Sequence, residues 1–471
     1  MITYSRVMVK LIDLHEGEYI IMLETKKRKS KSTSLFDLEG VPSLKKALPL
    51  SFQHLLAMIV GNVTPAIIVA GVADLSAADK ILLVQASMFM AGISTLLQLY
   101  PIWKLGSGLP VIIGISFAYV PTLTAIGSTY GIKAIFGAQL IGGIAAVIVG
   151  AFIKPLRKLF PPMVAGTVVF TIGLSLYPTA IKYMAGGAGA KDFGAPIYWV
   201  IALVTLAVVL ICNNFGKGYI KLASILIGII VGYIFSIFLG QVKFEAVSTA
   251  AWAQLPSFNH FGLEFIPSAI ISMVVIYVVN SVQAVGDYSA TTAGGLDRVP
   301  EDRELSGGIV ANGLINIIGP FFGGLPTATY SQNVGIVAMT KVVSKYVFAL
   351  TAGFILIAGF IPKFGAVITT IPQSVLGGAT ITVFAMITMT GIKLIIQDEL
   401  SGRNLSIVGL SVALGMGITQ VPGALDAFPS WVSMVFGSSP VVITTLVVIL
   451  LNTILPKQSI AQEEKERKEM E

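Results

Sequence analysis

One cysteine, Cys212, stands in a chain of 471 residues. An internal disulfide is thereby excluded, and so is a cysteine-rich metal site. Inside an apolar run, a lone thiol reads as a small buried hydrophobe. Histidine is nearly as scarce: His15, His54 and His260 are too scattered for a zinc-binding spacing. No glycine-rich phosphate loop ending in Gly-Lys-Ser or Gly-Lys-Thr occurs, which argues against an ATP-driven pump on this chain. Charge is sparse as well, at 12% of residues, where soluble domains carry about 25%. No leader with an apolar core is visible, because MITYSRVMVKLIDLHEGEYIIML carries charges where that core would lie. The opening residues resemble nothing that follows, and Met22 is an alternative start.

What the chain has instead is hydrophobic length. It is 55% hydrophobic, with a mean hydropathy of +0.85. Runs such as ILLVQASMFMAGISTLLQLY and FGAQLIGGIAAVIVGAFI are each long enough to cross a bilayer as a helix. The expectation is an all-α polytopic membrane protein with spans near 49–71, 81–103, 108–128, 133–153, 162–182, 196–214, 218–240, 267–291, 305–323, 327–342, 345–362, 373–392, 404–422 and 438–455. Fourteen segments put both ends on one side. With the N-terminus inside, the inner loops hold Lys104, Lys154, Arg157, Lys158, Lys217, Lys221, Arg298, Arg303, Lys341, Lys345, Lys393 and Arg403. The outer loops hold Lys80, Lys133, Lys182, Lys191, Lys243 and Lys363. Twelve against six, with two basic tails, places both termini in the cytoplasm. The net charge of +7 therefore needs no nucleic-acid partner. The run KKRKSK reads as a cytoplasmic topogenic tail, with anionic headgroups as the alternative contact.

One stretch does not fit a plain span. PTATYSQNVGIVAMTK, Pro326 to Lys341, gathers hydroxyls and carboxamides at membrane depth. It has an echo: GLPVIIGISFAYVP begins at Gly108 and GLPTATYSQNVGIV at Gly324. They fall in the third and tenth segments, the same place in two sevens. Seven is odd, so the second half runs from the opposite side, as an inverted repeat. Proline and glycine break helix at each start, and broken backbone inside a membrane needs protein or a cavity around it. Two extended pieces pairing with each other, each followed by a helix whose N-terminus points at a ligand, would make a midplane site. The alternative is that Ser331, Gln332 and Asn333 bond across helices as packing contacts. The divisions expected are an N-terminal tail (1–48), a first repeat (49–240), a second repeat (241–455) and a C-terminal tail (456–471).

Gln332-Asn333-Val334-Gly335, four further residues, Thr340 and Lys341 match the signature of the nucleobase–ascorbate transporters, which this chain resembles over roughly residues 45–455. Ser51-Phe52-Gln53-His54, Ser116-Phe117-Ala118-Tyr119, Gln283-Ala284-Val285-Gly286-Asp287 and Ala311-Asn312-Gly313 are similar to further motifs of that family, in the same order. The resemblance implies seven-plus-seven inverted helices with short antiparallel strands in segments 3 and 10. It also implies a core and a gate domain, often a homodimer, and secondary active uptake of a nucleobase by an elevator-type movement. It implies no enzyme activity and no cofactor other than co-transported H+ or Na+. Glutamine at the first signature position points to an oxidised purine, xanthine or uric acid. A carboxamide has one acceptor and two donor hydrogens and suits the alternating edge of such a base. The substrate-binding candidates are Gln283, Gln332, Phe117, Gly335, Ser331, Asn333 and Tyr119. Backbone N–H groups near Phe117 and Gly335 would meet ring carbonyls, and Phe117 and Tyr119 would cover a ring face or simply pack.

Two positions depart from the family pattern. Gln283 stands where the family has Glu, and Asn312 where it has Asp. Both keep the shape and lose a titratable proton site, and a neutral hydrogen bond is about half as strong as a charge-assisted one. Asp287 remains, one helical turn after Gln283 and on the same face. An acid in a span is a functional candidate. Asp287, with His54 and Asn312, is the candidate for ion coupling, by protonation or by holding Na+; a buried structural partner of His54 is the other reading. Among competing functions, an anion transporter of the same architecture would want a cation at the broken helices, and none is visible near Ser331 or Ser116. A membrane-embedded enzyme would need a nucleophile–base pair or metal cluster that Asp287 and His54 do not supply. A channel would show a polar stripe along several helices rather than polarity at one depth.

Overall fold

The computed structural model describes residues 7–14, 18–25, 32–156, 161–187, 190, 192–421, 423–437 and 439–470. The basic run at 26–31, Arg157, Lys158 and Lys191 lie outside these residues. An antiparallel pair, β1 (Val7–Leu14) and β2 (Glu18–Thr25), precedes the helices. Then come α1 (Leu44–Val72), α2 (Ala77–Leu99), β3 (Ile113–Ile115), α3 (Val120–Tyr130), α4 (Ile132–Ala151), α5 (Ile153–Leu156), α6 (Pro162–Met184), α7 (Pro196–Phe215), α8 (Tyr219–Leu222), α9 (Ser224–Phe238) and α10 (Glu245–Thr249). The second half holds α11 (Pro267–Leu296), α12 (Asp302–Ile318), β4 (Thr327–Thr329), α13 (Ser331–Thr340), α14 (Lys345–Gly359), α15 (Pro362–Thr369), α16 (Gln373–Ile395), α17 (Gly402–Gln420), α18 (Ser430–Gly437), α19 (Pro440–Ile454) and α20 (Ile460–Met470).

Among the described residues, eight helices are long and apolar enough to cross a membrane, or nine if α14 and α15, bent by 82°, count as one span. Proline opens α6, α7, α11 and α19. There it fixes φ and its missing N–H costs no intrahelical bond. Packing sorts the helices into two groups. On one side α2 packs with α14, and α4 with α12 and α11; on the other, α16 packs with α6 and α7, α7 with α9, and α17 with α19. Glycine lets backbones approach at these crossings. A Cβ on Gly313 would lie 2.9 Å from the Gly143 carbonyl oxygen, and one on Gly166 would lie 2.8 Å from that of Gly391.

Between the long helices the chain is extended twice. β3 and β4 pair antiparallel, with Ile113 opposite Thr329, Gly114 opposite Ala328 and Ile115 opposite Thr327. Two residues per edge remain to be satisfied at membrane depth, and side chains do it. Thr95 of α2 donates to the Ile113 carbonyl and accepts its N–H, at 3.1 and 3.0 Å. Asn62 of α1 accepts the Ile115 N–H at 2.8 Å. Asn316 of α12 accepts the Thr327 N–H at 2.8 Å, while Asn312 and Asn316 both donate to the Thr327 carbonyl. In lipid an unmet backbone group costs several kcal/mol, so these four side chains let strand exist where helix is the rule.

Basic residues of α5, of α12 and of the turn between α11 and α12 meet at one end of the bundle. Lys154 pairs with Asp302 at 2.5 Å, and Arg303 donates to the Trp103 carbonyl at 3.1 Å. Arg298 bonds Glu304, whose carboxylate raises the guanidinium pKa further. Lys341 pairs with Asp297 and Lys345 with Glu39 at the same end.

Tyr330, which follows β4, is wedged between two glycines and donates to the Ile115 carbonyl at 2.5 Å. A Cβ on Gly114 would lie 2.6 Å from its ring and 2.7 Å from Asn62 Oδ1. Gly114→Ala is therefore expected to destabilise the protein by about 1–3 kcal/mol through overpacking, read as a lower melting temperature in detergent. Gly335→Ala, where an added Cβ meets nothing within 4 Å, is the matched control, and its melting temperature should stay near that of the wild type.

Candidate functional site

The strand pair delivers two helix starts to one cavity. After β3 the chain makes a 3-10 turn, Phe117–Tyr119, capped by Ser116, whose hydroxyl accepts the Ala118 N–H at 3.1 Å, and runs on into α3. After β4 comes Tyr330 and then α13. The first-turn N–H groups of a helix have no intrahelical acceptor. Ser116, Phe117, Ser331 and Gln332 therefore bring polar, donor-rich helix ends to the cavity they line.

The cavity measures about 410 Å³, within the range for a small planar molecule. It lies between the two helix groups: Gln283 of α11 and the two helix starts form one wall, and Val169 and Ile172 of α6 with Met386, Met389, Thr390 and Lys393 of α16 form the other. The Gln283 and Gln332 carboxamides make no hydrogen bond to protein among the described residues, so their donors and acceptors are available. Phe117 is held edge-on against Phe384 of α16, with ring centroids 5.1 Å apart at 81°.

Asp287 lies behind this wall and is not among the lining residues. Its two carboxylate oxygens accept from the hydroxyls of Thr329 and of Ser331, the latter at 2.7 Å. Among the described residues no basic side chain bonds it. A buried carboxylate without a cationic partner is costly. A proton or a cation supplied from outside would remove that cost.

The remaining candidates support the site from outside the cavity. Asn333 is buried in α13 and donates both to His54 Nδ1, at 3.1 Å, and to the His54 carbonyl, at 3.0 Å. The His54 ring also packs on Phe348 at 4.3 Å. The pair ties α13 to α1, and His54 bonds Asn333 rather than Asp287. Asn312 is engaged with Thr327, donating to its carbonyl at 3.0 Å and accepting its hydroxyl at 2.9 Å. Tyr119 is fully buried against Tyr277, with centroids 4.9 Å apart. Gly335 lies a turn along α13 from the cavity. Gln283, Gln332, Phe117 and Ser331 line the cavity; Gly335, Asn333 and Tyr119 do not.

Several contributors were not singled out from the sequence. Thr329 holds Asp287, and Asn316, Asn62 and Thr95 complete the strand edges. Met386, Thr390 and Lys393 recur at i, i+4 and i+7, which places them on one helix face. Lys393 is also a cation beside the broken helices, where the sequence showed none.

Residues 45–424 match the model of a permease family. Among curated proteins, the chain is 39% identical over 406 residues to the uric acid permease PucK of Bacillus subtilis, covering 86% of this chain and 94% of that protein. It is 36% identical over 412 residues to the xanthine permease of the same organism, with 87% and 93% covered. It is 36% identical over 444 residues to the xanthine permease XanQ of Escherichia coli, with 90% and 94% covered. Among solved structures, the transmembrane domain of the cyanobacterial bicarbonate transporter BicA superposes with a TM-score of 0.54 at 14% identity, covering 87% of this chain and 98% of that one. Murine Slc26a9 superposes at 0.57 with 11% identity, covering 88% and 69%. These two likenesses concern the fold.

Asn312→Leu tests the clamp on β4. It removes one donor to the Thr327 carbonyl and the nearer acceptor of its hydroxyl, leaving that buried hydroxyl only Asn316 Oδ1 at 3.4 Å. The expected cost is about 1–3 kcal/mol, measured as a fall in melting temperature. Asn316→Leu should cost more, because it also strips the acceptor from the Thr327 backbone N–H.

Proposed function

Because the chain belongs to the nucleobase–ascorbate transporter family, whose members are permeases and not enzymes, we propose that it is a secondary active transporter of an oxidised purine, xanthine or uric acid. The observation that carries this reading is the pair of unbonded carboxamides, Gln283 and Gln332, opening with two helix N-termini on one cavity. A carboxamide offers an acceptor beside a donor, and helix starts offer further N–H groups. The edge of an oxidised purine alternates the complementary groups. Phe117 supplies an aromatic edge or face for the ring. Uracil or another base remains the second reading within the family.

Coupling is assigned to Asp287. Its hydroxyl-capped carboxylate takes up H+ or Na+ as substrate enters, and the change is passed through Ser331 and Thr329 to the start of α13. His54 and Asn312 act at one remove, the first by fixing Asn333 and the second by fixing Thr327.

Fourteen segments in two inverted sevens belong to the same reading. Shifting each segment by seven turns the α2–α14 pair into α12–α4, and the α7–α9 pair into α17–α19, and all four pairs are in contact. The first group of helices is then the core and the second the gate, with substrate carried by an elevator-type movement of one past the other. Both termini are placed in the cytoplasm. Residues 35–40 dock beside Lys345, with Ser344 donating to the Gly40 carbonyl at 2.7 Å, and α20 docks on the start of α17 through Glu463 and the Gly402 N–H at 2.7 Å. A homodimer in the bacterial plasma membrane completes the picture.

Purified protein should be stabilised by xanthine or urate; a ligand at a hundred times its Kd adds about 2.7 kcal/mol, seen as a raised melting temperature. Gln332→Ala should abolish that shift while leaving the ligand-free melting temperature nearly unchanged. In proteoliposomes, Asp287→Asn should lose uptake driven by an imposed H+ or Na+ gradient yet keep exchange of labelled for unlabelled base. Stabilisation by none of the purines would overturn the reading, and by uracil alone would redirect it.

A further inference from the structure

We propose that Lys393 is a specificity-determining cation that favours the anionic form of the substrate over the neutral form. The inference rests on the purine reading above and deepens it.

Lys393 is the one charged residue among those lining the cavity. It lies on the gate-side face of α16 that also carries Met386 and Thr390. Seven residues separate it from Met386, which at 1.5 Å per residue is roughly 10 Å along the helix. Lys393 thus stands toward the end of the cavity nearer the end of α16, as an exposed residue on a flexible four-carbon stem. Among the described residues it has no hydrogen bond or ion pair. The acids that follow it in sequence are engaged elsewhere: Asp398 accepts the Met163 N–H at 2.7 Å, and Glu399 accepts the Ile460 N–H at 3.2 Å. Its charge is therefore not neutralised on its own helix.

The opposite wall contributes no compensating charge. Gln283 and Gln332 are neutral, and the Asp287 carboxylate is set back and capped by two hydroxyls. An incoming anion meets one uncompensated positive charge and two helix N-termini. A neutral base meets the same hydrogen-bonding groups but gains little from the charge. Uric acid is the stronger N–H acid of the two oxidised purines. Its monoanion spreads negative charge over a flat bicyclic ring that differs from neutral xanthine by one oxo group. Charge at the cavity end would separate the two beyond what that oxo group does.

The test uses the whole transporter at a pH between the first ionisations of uric acid and xanthine, so that one is an anion and the other neutral while any coupling ion is held constant. Labelled uptake and mutual competition are measured for wild type, Lys393→Met, Lys393→Gln and Lys393→Arg. Both neutral variants should raise the apparent KM for urate about five- to tenfold, between the scale of an exposed ion pair and that of a buried charge-assisted contact. They should change that for xanthine less than about twofold, and Lys393→Arg should keep the wild-type ratio. Retained xanthine uptake in either neutral variant shows that it folds. If the neutral variants leave the urate-to-xanthine ratio unchanged, or shift both bases equally, Lys393 is only a topogenic or snorkelling residue and the proposal is wrong. If wild type handles neither base, the purine reading itself fails, and this inference falls with it.

Discussion

Everything in this fold turns on one constraint: a peptide group inside the bilayer needs a hydrogen-bond partner. A helix meets the constraint by itself, and a strand cannot. By pairing β3 with β4 and giving their outer edges to Thr95, Asn62, Asn312 and Asn316, the protein accommodates two short extended segments where lipid would not tolerate one. The return is positional. Each strand leads into a helix that starts at the strand pair, and each such helix presents its N-terminus there. The donor groups of two helix starts thereby come together on one cavity.

That origin explains why so many polar residues surround the cavity without touching it. Tyr330 locks β4 to β3 through the Ile115 carbonyl, and it fits only because Gly61 and Gly114 lack side chains. Asn333 and His54 hold α13 against α1. These contacts fix one wall as a unit. The facing wall, α6 and α16, packs chiefly against its own neighbours. The cavity thus lies where two separately packed groups of helices meet.

The sequence made much of this legible. Hydrophobic runs placed the long helices within about five residues of where they lie, because proline and charge punctuate their ends. The repeated Gly-Leu-Pro announced both breaks, and the polar residues after the second include Ser331 and Gln332, which line the cavity. Helix faces were harder to read. In a membrane the lipid side and the packed side are both apolar, so no periodicity shows which way a residue points. Lys393 counted as a loop charge because it lies near the end of a run; only packing turns the Met386–Lys393 face onto the cavity. Asn312 looked like a vacated acid site and proves to be one arm of the Thr327 clamp. Asn316, four residues on, was the available hint, since i and i+4 share a face. The His54–Asn333 bond joins residues 279 apart, a pairing that only the tertiary structure brings about.

The departure at Gln283 makes sense beside Asp287. Residues at i and i+4 on a helix stand about 6 Å apart. Two carboxylates at that distance repel by about 3 kcal/mol at an effective dielectric of 20. A glutamate at 283 would set that cost against every bound anion as well, because it would face the substrate directly. The carboxamide removes the repulsion while keeping an acceptor in place, and it adds a donor. What remains is a single recessed acid, shielded by the hydroxyls of Thr329 and Ser331, and a single cation at the other side of the cavity. The charge of the cavity lining is thereby reduced to Lys393 alone, with the Asp287 carboxylate held behind it by two hydroxyls.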